Sequence, residues 1–208
     1  MDARLSVMYG FPRMRQVKKM ATKSRLVLIA LGSNENSIWG DAKETVQKAM
    51  NLLIAWSEEP ANQSRLYKSP AFPEGAGPDY VNAAMAFESP CDPAQILAKL
   101  HDIEGQAARR RDVRWGQRTL DLDLVAVADC VLPDAATQTL WRDLPPERQQ
   151  QIAPDTLVLP HPRVQDRSFV LVPLMDVAAD WRHPILGRTT AQMLATRPET
   201  ERAPVVPC

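Results

Sequence analysis

The chain has 208 residues, of which 45% are hydrophobic, so it is long enough for one domain with a full core. Lysine plus arginine and aspartate plus glutamate number 25 each, and this balance does not favour a general nucleic-acid or membrane-surface binder. The three cysteines, Cys91, Cys130 and Cys208, are widely spaced, which argues against a disulfide framework or a zinc site and favours a cytoplasmic location. No apolar run approaches the roughly 18 residues of a membrane span.

The domain organisation follows from composition along the chain. Residues 1–24 are basic but lack the apolar core of a signal peptide, and we interpret them as a poorly ordered extension. Residues 25–197 are predicted to form a single domain, with an insertion near 134–154. Residues 198–208 form a proline-containing tail.

The first half of the domain alternates between strand and helix patterns. Residues 25–31 are a short apolar run that ends in a Gly-Ser-Asn turn, which is typical of a buried strand. A helix is predicted over 41–56, where Asp41 and Glu44 have the spacing of a capping box. Two further strands are predicted, over 63–67 and 80–87, with a long proline- and glycine-rich loop between them.

The second half continues the alternation. Asp92-Pro93 is predicted to open a helix whose apolar stripe reaches Ile103, and a strand follows at 120–124. Short helices are expected at 136–142 and 147–152 inside the insertion, and a last one at 190–195. The order βαββαβ predicts an α+β sandwich, with helices packed on a mainly antiparallel sheet.

The strand at 120–124 carries two carboxylates. Apolar and charged residues alternate there, so Asp121 and Asp123 are predicted to share the face opposite the leucines. Paired carboxylates repel each other unless a cation lies between them, and hard oxygen ligands of this kind suit Mg²⁺ together with substrate phosphates. The alternative is a solvated strand face with two surface aspartates.

An arginine cluster lies immediately upstream of this strand. It comprises Arg109, Arg110, Arg111, Arg114 and Arg118. Guanidinium groups suit bidentate phosphate recognition, although a solvated helix end or a nucleic-acid patch would also contain such a run. Because the cluster leads directly into the carboxylate pair, one ligand that carries both phosphates and Mg²⁺ would satisfy both features.

Four blocks of the sequence resemble the signature blocks of the 6-hydroxymethyl-7,8-dihydropterin pyrophosphokinase family, in the family's order. They are LGSN at 31–34, SPAF with PDYVNAA at 69–72 and 78–84, RRRDVRWGQRTLDLDL at 109–124, and LPHPRVQDRSFVLVPL at 159–174. The resemblance implies a ferredoxin-like fold, ATP as co-substrate and two Mg²⁺ ions. It also implies transfer of pyrophosphate from ATP to the pterin hydroxymethyl oxygen, with release of AMP.

The resemblance also implies a role for each matching residue. Catalytic residues would be Arg109, Arg111, Asp121 and Asp123, of which Asp121 and Asp123 hold the metal. ATP would be contacted by Glu104, Arg111, Arg114, Trp115, Arg118, Leu124, His161 and Arg167. The pterin would be bound by Ser69, Pro70, Phe72, Tyr80, Asn82, Trp115 and Phe169. An aromatic sandwich with an amide at its edge suits a flat polar heterocycle.

Two other classes of function remain open from the residues. A different Mg²⁺-dependent nucleotidyl transferase would use the same carboxylates but transfer AMP. A ferredoxin-like RNA-binding module would use the arginines and Trp115 to grip the nucleic acid, and a basic net charge would be expected of it. We therefore expect small-molecule substrates as partners, and neither nucleic acid nor a membrane. We expect the protein to be a monomer or a weak homodimer.

Overall fold

The computed structural model describes residues 23–57, 59–71, 77–107, 119–145, 148 and 151–208. Its sheet is mainly antiparallel. The strands are β1 (Arg25–Ser33), β2 (Asn62–Gln63), β3 (Tyr67–Ser69), β4 (Tyr80–Ser89), β5 (Asp121–Val127) and β6 (Val206–Pro207). The main path runs β5-β1-β4-β3-β6, and β2 pairs separately with β4. The central strand β1 therefore has β4 on one side and β5 on the other, antiparallel to both.

Helices cover both faces of the sheet. They are α1 (Ala42–Ser57), α2 (Pro93–Gln106), α3 (Ala135–Arg142), α4 (Ser168–Ala178), α5 (Thr190–Ala195) and α6 (Glu199–Arg202). On one face, residues of α1 and α2 such as Leu53 and Leu100 share a core with Ile29 of β1. On the other face, Leu171 and Leu174 of α4 share a second core with Leu28. The expected α+β sandwich is confirmed, and the C-terminal helices add a layer to it.

Helix ends match the local signals in the sequence. Asp41 and Glu44 exchange backbone and side-chain hydrogen bonds, both 2.9 Å long, so the capping box before α1 is confirmed. At α2, Asp92 precedes Pro93 and forms a second capping box with Gln95. Helix α5 begins and ends at the predicted residues.

One strand prediction was wrong. The expected strand at 63–67 is two short strands, β2 and β3, separated by three residues. Ser64 interrupts the ladder because its hydroxyl accepts a hydrogen bond from the Ala84 N–H at 2.8 Å, while its own N–H donates to the Ala84 carbonyl. The next residue, Arg65, is held by Asp176 of α4 through both its backbone N–H and its guanidinium.

The insertion and the C-terminal tail both contact the domain. The helix predicted at 136–142 is α3, while half of the one predicted at 147–152, namely residues 147, 149 and 150, lies outside the described residues, as does nearly all of the extension at 1–24. In the tail, Val206 pairs with Lys68 of β3. None of the helices in the described part of the chain is long and apolar enough to cross a bilayer.

Candidate active site

The candidate site lies where β4, β1 and β5 run side by side on the face that α4 covers only in part. Gly32 stands directly opposite Asn82 on β4 and opposite Asp121 on β5. Residues directly opposite in an antiparallel pair project to the same face. The apolar contacts of α4 extend to Ala30 and Ala84, one pair further along the strands. Gly32 and Asp121 are half-buried and remain reachable from solvent.

Asp121 and Asp123 share one face of β5, as the alternation predicted. Leu122 and Leu124 are buried in the opposite core, whereas both aspartates are only half-buried. Arg167, which immediately precedes α4, donates from Nη1 to Oδ2 of Asp123 at 3.1 Å. The site therefore combines two carboxylates with a guanidinium at its edge.

The two carboxylates suit a Mg²⁺ ion whose other ligands come from a bound phosphate group. Among the described residues, no three His, Cys, Asp or Glu side chains come together as a complete metal site. Mg²⁺ is commonly held by one or two carboxylates, with substrate phosphates and waters as the remaining ligands. Asp121 and Asp123 would supply the protein's share of such a set, and both are partly exposed to solvent.

His161 is held beside the carboxylate strand by its backbone. Its N–H donates to the Val125 carbonyl at 2.8 Å, and its Nδ1 accepts from the Arg163 N–H at 3.1 Å. Burial, reinforced by the positive charge of Arg167, lowers the pKa of His161 to about 3. The imidazole is therefore neutral at physiological pH, with its remaining proton on Nε2, and this N–H group can donate a hydrogen bond to an anion.

The insertion supports the turn that carries His161. Leu132 and Leu159 exchange backbone hydrogen bonds of 2.9 and 3.0 Å. Gln138 of α3 is fully buried, and its Nε2 donates to the Pro160 carbonyl at 3.2 Å. Leu132, just before the insertion, and Gln138 within it thus support the segment immediately before His161, which gives the start of the insertion a structural role.

The expected pterin-binding residues lie on the β4 side of Gly32. The Asn82 side chain is buried and donates from Nδ2 to the Ser69 hydroxyl at 2.9 Å, which leaves its Oδ1 as an acceptor. Tyr80 lies on the same face of β4 and is half-buried. Pro70 is exposed.

Phe169 stands out from the apolar run that contains it. Its side chain is 40% exposed, while its neighbours Val170 and Leu171 are buried in the core. The Arg167 guanidinium lies over the Phe169 ring, 5.7 Å from the centroid. Phe169 therefore does not occupy the core position that an apolar run would predict, and its contact with the pterin stays a prediction.

Comparisons with known proteins agree with this geometry. The family model for 7,8-dihydro-6-hydroxymethylpterin-pyrophosphokinase matches residues 28–179, well over half of the chain. The chain belongs to this family. A Pseudomonas aeruginosa 2-amino-4-hydroxy-6-hydroxymethyldihydropteridine pyrophosphokinase is 34% identical over 83% of this chain and 91% of its own length. The Synechocystis protein of the same name is 31% identical over 86% of this chain and 80% of its own length.

Solved structures support the fold of this pyrophosphokinase family member. A Plasmodium falciparum HPPK-DHPS triple mutant has a TM-score of 0.56 at 14% identity, and the match covers 85% of this chain. The wild-type protein of that name has a TM-score of 0.55 at 14% identity over 85% of this chain. This chain covers only 45% and 42% of those two longer chains.

Two residues of the family's first signature block hold the site together, a role that sequence reasoning missed. The Ser33 hydroxyl donates to the Thr119 carbonyl at 2.6 Å, just before the carboxylate strand. Asn34 donates from Nδ2 to the Pro78 carbonyl at 3.2 Å, just before Tyr80. Adjacent residues of one turn thus contact both halves of the site. The polar Gly-Ser-Asn sequence at the end of β1 could have indicated this role, because Ser and Asn side chains in turns often bond to nearby backbone groups.

Not every predicted ATP contact has its side chain on this face. Leu124 is 4% exposed and packs into the core beneath α1 and α2, so its side chain points away from the carboxylates. Glu104 is also buried, on α2, where its Oε1 accepts a hydrogen bond from the Leu122 N–H at 2.9 Å. That bond supports the outer edge of β5. Six of the expected ligand contacts lie outside the described residues, and these are Phe72, Arg109, Arg111, Arg114, Trp115 and Arg118.

Proposed function

We propose that the chain transfers the pyrophosphoryl group of ATP to the hydroxyl of 6-hydroxymethyl-7,8-dihydropterin, giving the pterin diphosphate and AMP in folate biosynthesis. One structural observation is the main support for locating the reaction at this site. Asn82 and Asp121 lie opposite Gly32 on one face of the sheet, and an amide that suits a heterocycle beside a carboxylate that suits a phosphate-bound cation supports this reaction. The family match supports the same reaction.

The phosphate half of the site would be formed by Asp121, Asp123, Arg167 and His161. The two carboxylates would hold two Mg²⁺ ions, which supply charge neutralisation for the β- and γ-phosphates of ATP. Arg167, already poised at Asp123, would pair with phosphate oxygens. Neutral His161 would donate a hydrogen bond from its Nε2–H group to the nucleotide. We also propose, from the family resemblance, that Arg109 and Arg111 bind the phosphates.

The pterin half would be formed by Asn82, Ser69, Tyr80 and Phe169. The amide would bond the edge of the heterocycle, and the two rings would stack on its faces. This arrangement directs the hydroxymethyl oxygen across Gly32 toward the β-phosphorus. Catalysis would then rest on alignment and charge stabilisation, without a dedicated general base.

The cellular setting is part of the same proposal. The balanced charge of the chain supports small-molecule substrates over nucleic acid, and the described helices offer no membrane span. We propose a cytoplasmic monomer or weak homodimer.

Product identification tests the reaction. The protein would be mixed with MgATP and 6-hydroxymethyl-7,8-dihydropterin, and products would be separated by mass spectrometry. We expect pterin diphosphate and AMP in equal amounts. Pterin monophosphate with ADP, or an adenylylated pterin with pyrophosphate, would contradict pyrophosphoryl transfer.

The same assay tests the site through matched aspartate variants. Asp121→Ala removes a proposed ligand of Mg²⁺, and we expect it to lose at least about 100-fold in turnover. Asp129→Ala is the control, because Asp129 is exposed just beyond the other end of β5. It should retain wild-type turnover. Equal activity of the two variants would refute the carboxylate assignment.

A further inference from the structure

Gly32 occupies the middle position between the two halves of the site. Its partner on β4 is Asn82, and its partner on β5 is Asp121. Because all three positions share one face, any atom that joins a ligand at Asn82 to a ligand at Asp121 must pass over Gly32. The residue is half-buried, so this passage is open to solvent.

The protein itself does not require a glycine here. Gly40 and Gly187 have a positive φ but Gly32 does not, so the Gly32 backbone is accessible to any residue. A Cβ built at Gly32 would lie 3.6 Å from Asn82 Oδ1 and 4.0 Å from Tyr80 Cδ1, which is ordinary van der Waals contact. Glycine inside a strand costs stability because it gains no packing and loses more backbone freedom on folding.

We propose that Gly32 is needed for turnover of the pterin, because it keeps clear the passage from the heterocycle to the phosphates. The inference rests on the proposed function. The substrate arm that crosses Gly32 would be a single methylene that carries a hydroxyl. A methyl group at Gly32 would contact Asn82 and Tyr80 at ordinary van der Waals distances. It would also contact the substrate arm and displace it from the β-phosphorus.

The test compares Gly32→Ala with Gly105→Ala. Gly105 lies in α2, and a Cβ there would meet nothing within 4 Å, so it controls for the substitution itself. For Gly32→Ala we expect a loss of at least about 10-fold in kcat/KM for the pterin, the scale of one methyl group in a tight pocket. We expect ATP affinity to stay within about 2-fold of wild type, because the nucleotide lies beyond the carboxylates. Gly105→Ala should match wild type in both.

Thermal unfolding of both variants completes the experiment. The Gly32→Ala midpoint should lie within about 2 °C of wild type or above it, since the new methyl group makes only ordinary contacts. A Gly32→Ala variant that unfolds readily, or one with wild-type kcat/KM, would overturn the inference. Failure of the wild-type protein to form pterin diphosphate would instead contradict the proposed function, so the two failures are distinguishable.

Discussion

The fully buried His183 should make the folded protein sensitive to mild acid. Its Nδ1 accepts hydrogen bonds from the N–H groups of Ile185 and Leu186, both at 3.2 Å. Nε2 is buried without a partner among the described residues. Burial and, secondarily, the nearby positive charge of Arg142 lower the pKa of His183 from 6.5 to about 4. Protonation is therefore disfavoured in the folded state.

The sign of the pH dependence follows from which state binds the proton. Between pH 6.5 and about 4, the unfolded chain protonates this histidine while the folded chain does not, so the free energy of unfolding falls as pH falls. The pKa difference is 6.5 minus about 4, or about 2.5. At about 1.4 kcal/mol for each pH unit, the loss from His183 approaches about 3 kcal/mol at pH 4.

His183→Asn isolates this contribution. An asparagine carbonyl can still accept a hydrogen bond from the N–H two residues on, but it does not titrate. Urea unfolding at several pH values between about 4.5 and 7.5 should show a flatter pH dependence in the variant than in wild type. His161, whose pKa is also lowered, contributes equally to both proteins. Parallel pH profiles for the two proteins would show that His183 does not contribute to the pH dependence of stability.

Two further substitutions test contacts that hold the site in place. Asn34→Ala removes the hydrogen bond to the Pro78 carbonyl. In steady-state kinetics, KM for the pterin should therefore rise about 5-fold or more, while KM for ATP changes little. Equal effects on both substrates would contradict a role of Asn34 limited to the pterin side of the site. Tyr67→Phe removes a hydroxyl that lies 2.9 Å from Asp176 Oδ2 and 2.7 Å from Arg65 Nη2, so urea unfolding should show a loss of about 1 kcal/mol. An unchanged free energy of unfolding would show that this link between β3 and α4 is not stabilising.

Most of the fold could be predicted because its elements carry local signals. The period-two alternation around Asp121 indicated a strand with both carboxylates on one face, and the capping residues Asp41 and Asp92 marked the starts of α1 and α2. The break between β2 and β3 could not be predicted in the same way. It depends on a hydrogen bond between Ser64 and Ala84 and on the Arg65–Asp176 contact, which joins residues 111 positions apart.

The candidate site was predicted only in part, for a similar reason. Chemistry-bearing residues such as Asp123 and Asn82 are recognisable by type and motif, but the side that a residue faces depends on packing. Glu104 illustrates this, because its carboxylate supports the edge of β5 from within the α2 layer. Gly32 is a second example. Its lack of a side chain matters only because the strand register brings it between Asn82 and Asp121, and the sequence alone does not give that register.

The most direct test is a crystal structure with 6-hydroxymethyl-7,8-dihydropterin, Mg²⁺ and an ATP analogue whose α,β-bridging oxygen is replaced by methylene, which blocks cleavage at that bond. We expect the heterocycle to lie against Asn82 and Phe169 and Mg²⁺ to bind Asp121 and Asp123. The hydroxymethyl arm should lie over Gly32, in line with the β-phosphorus. Phosphates bound away from Asp121 and Asp123, or a pterin on another face of the sheet, would contradict it.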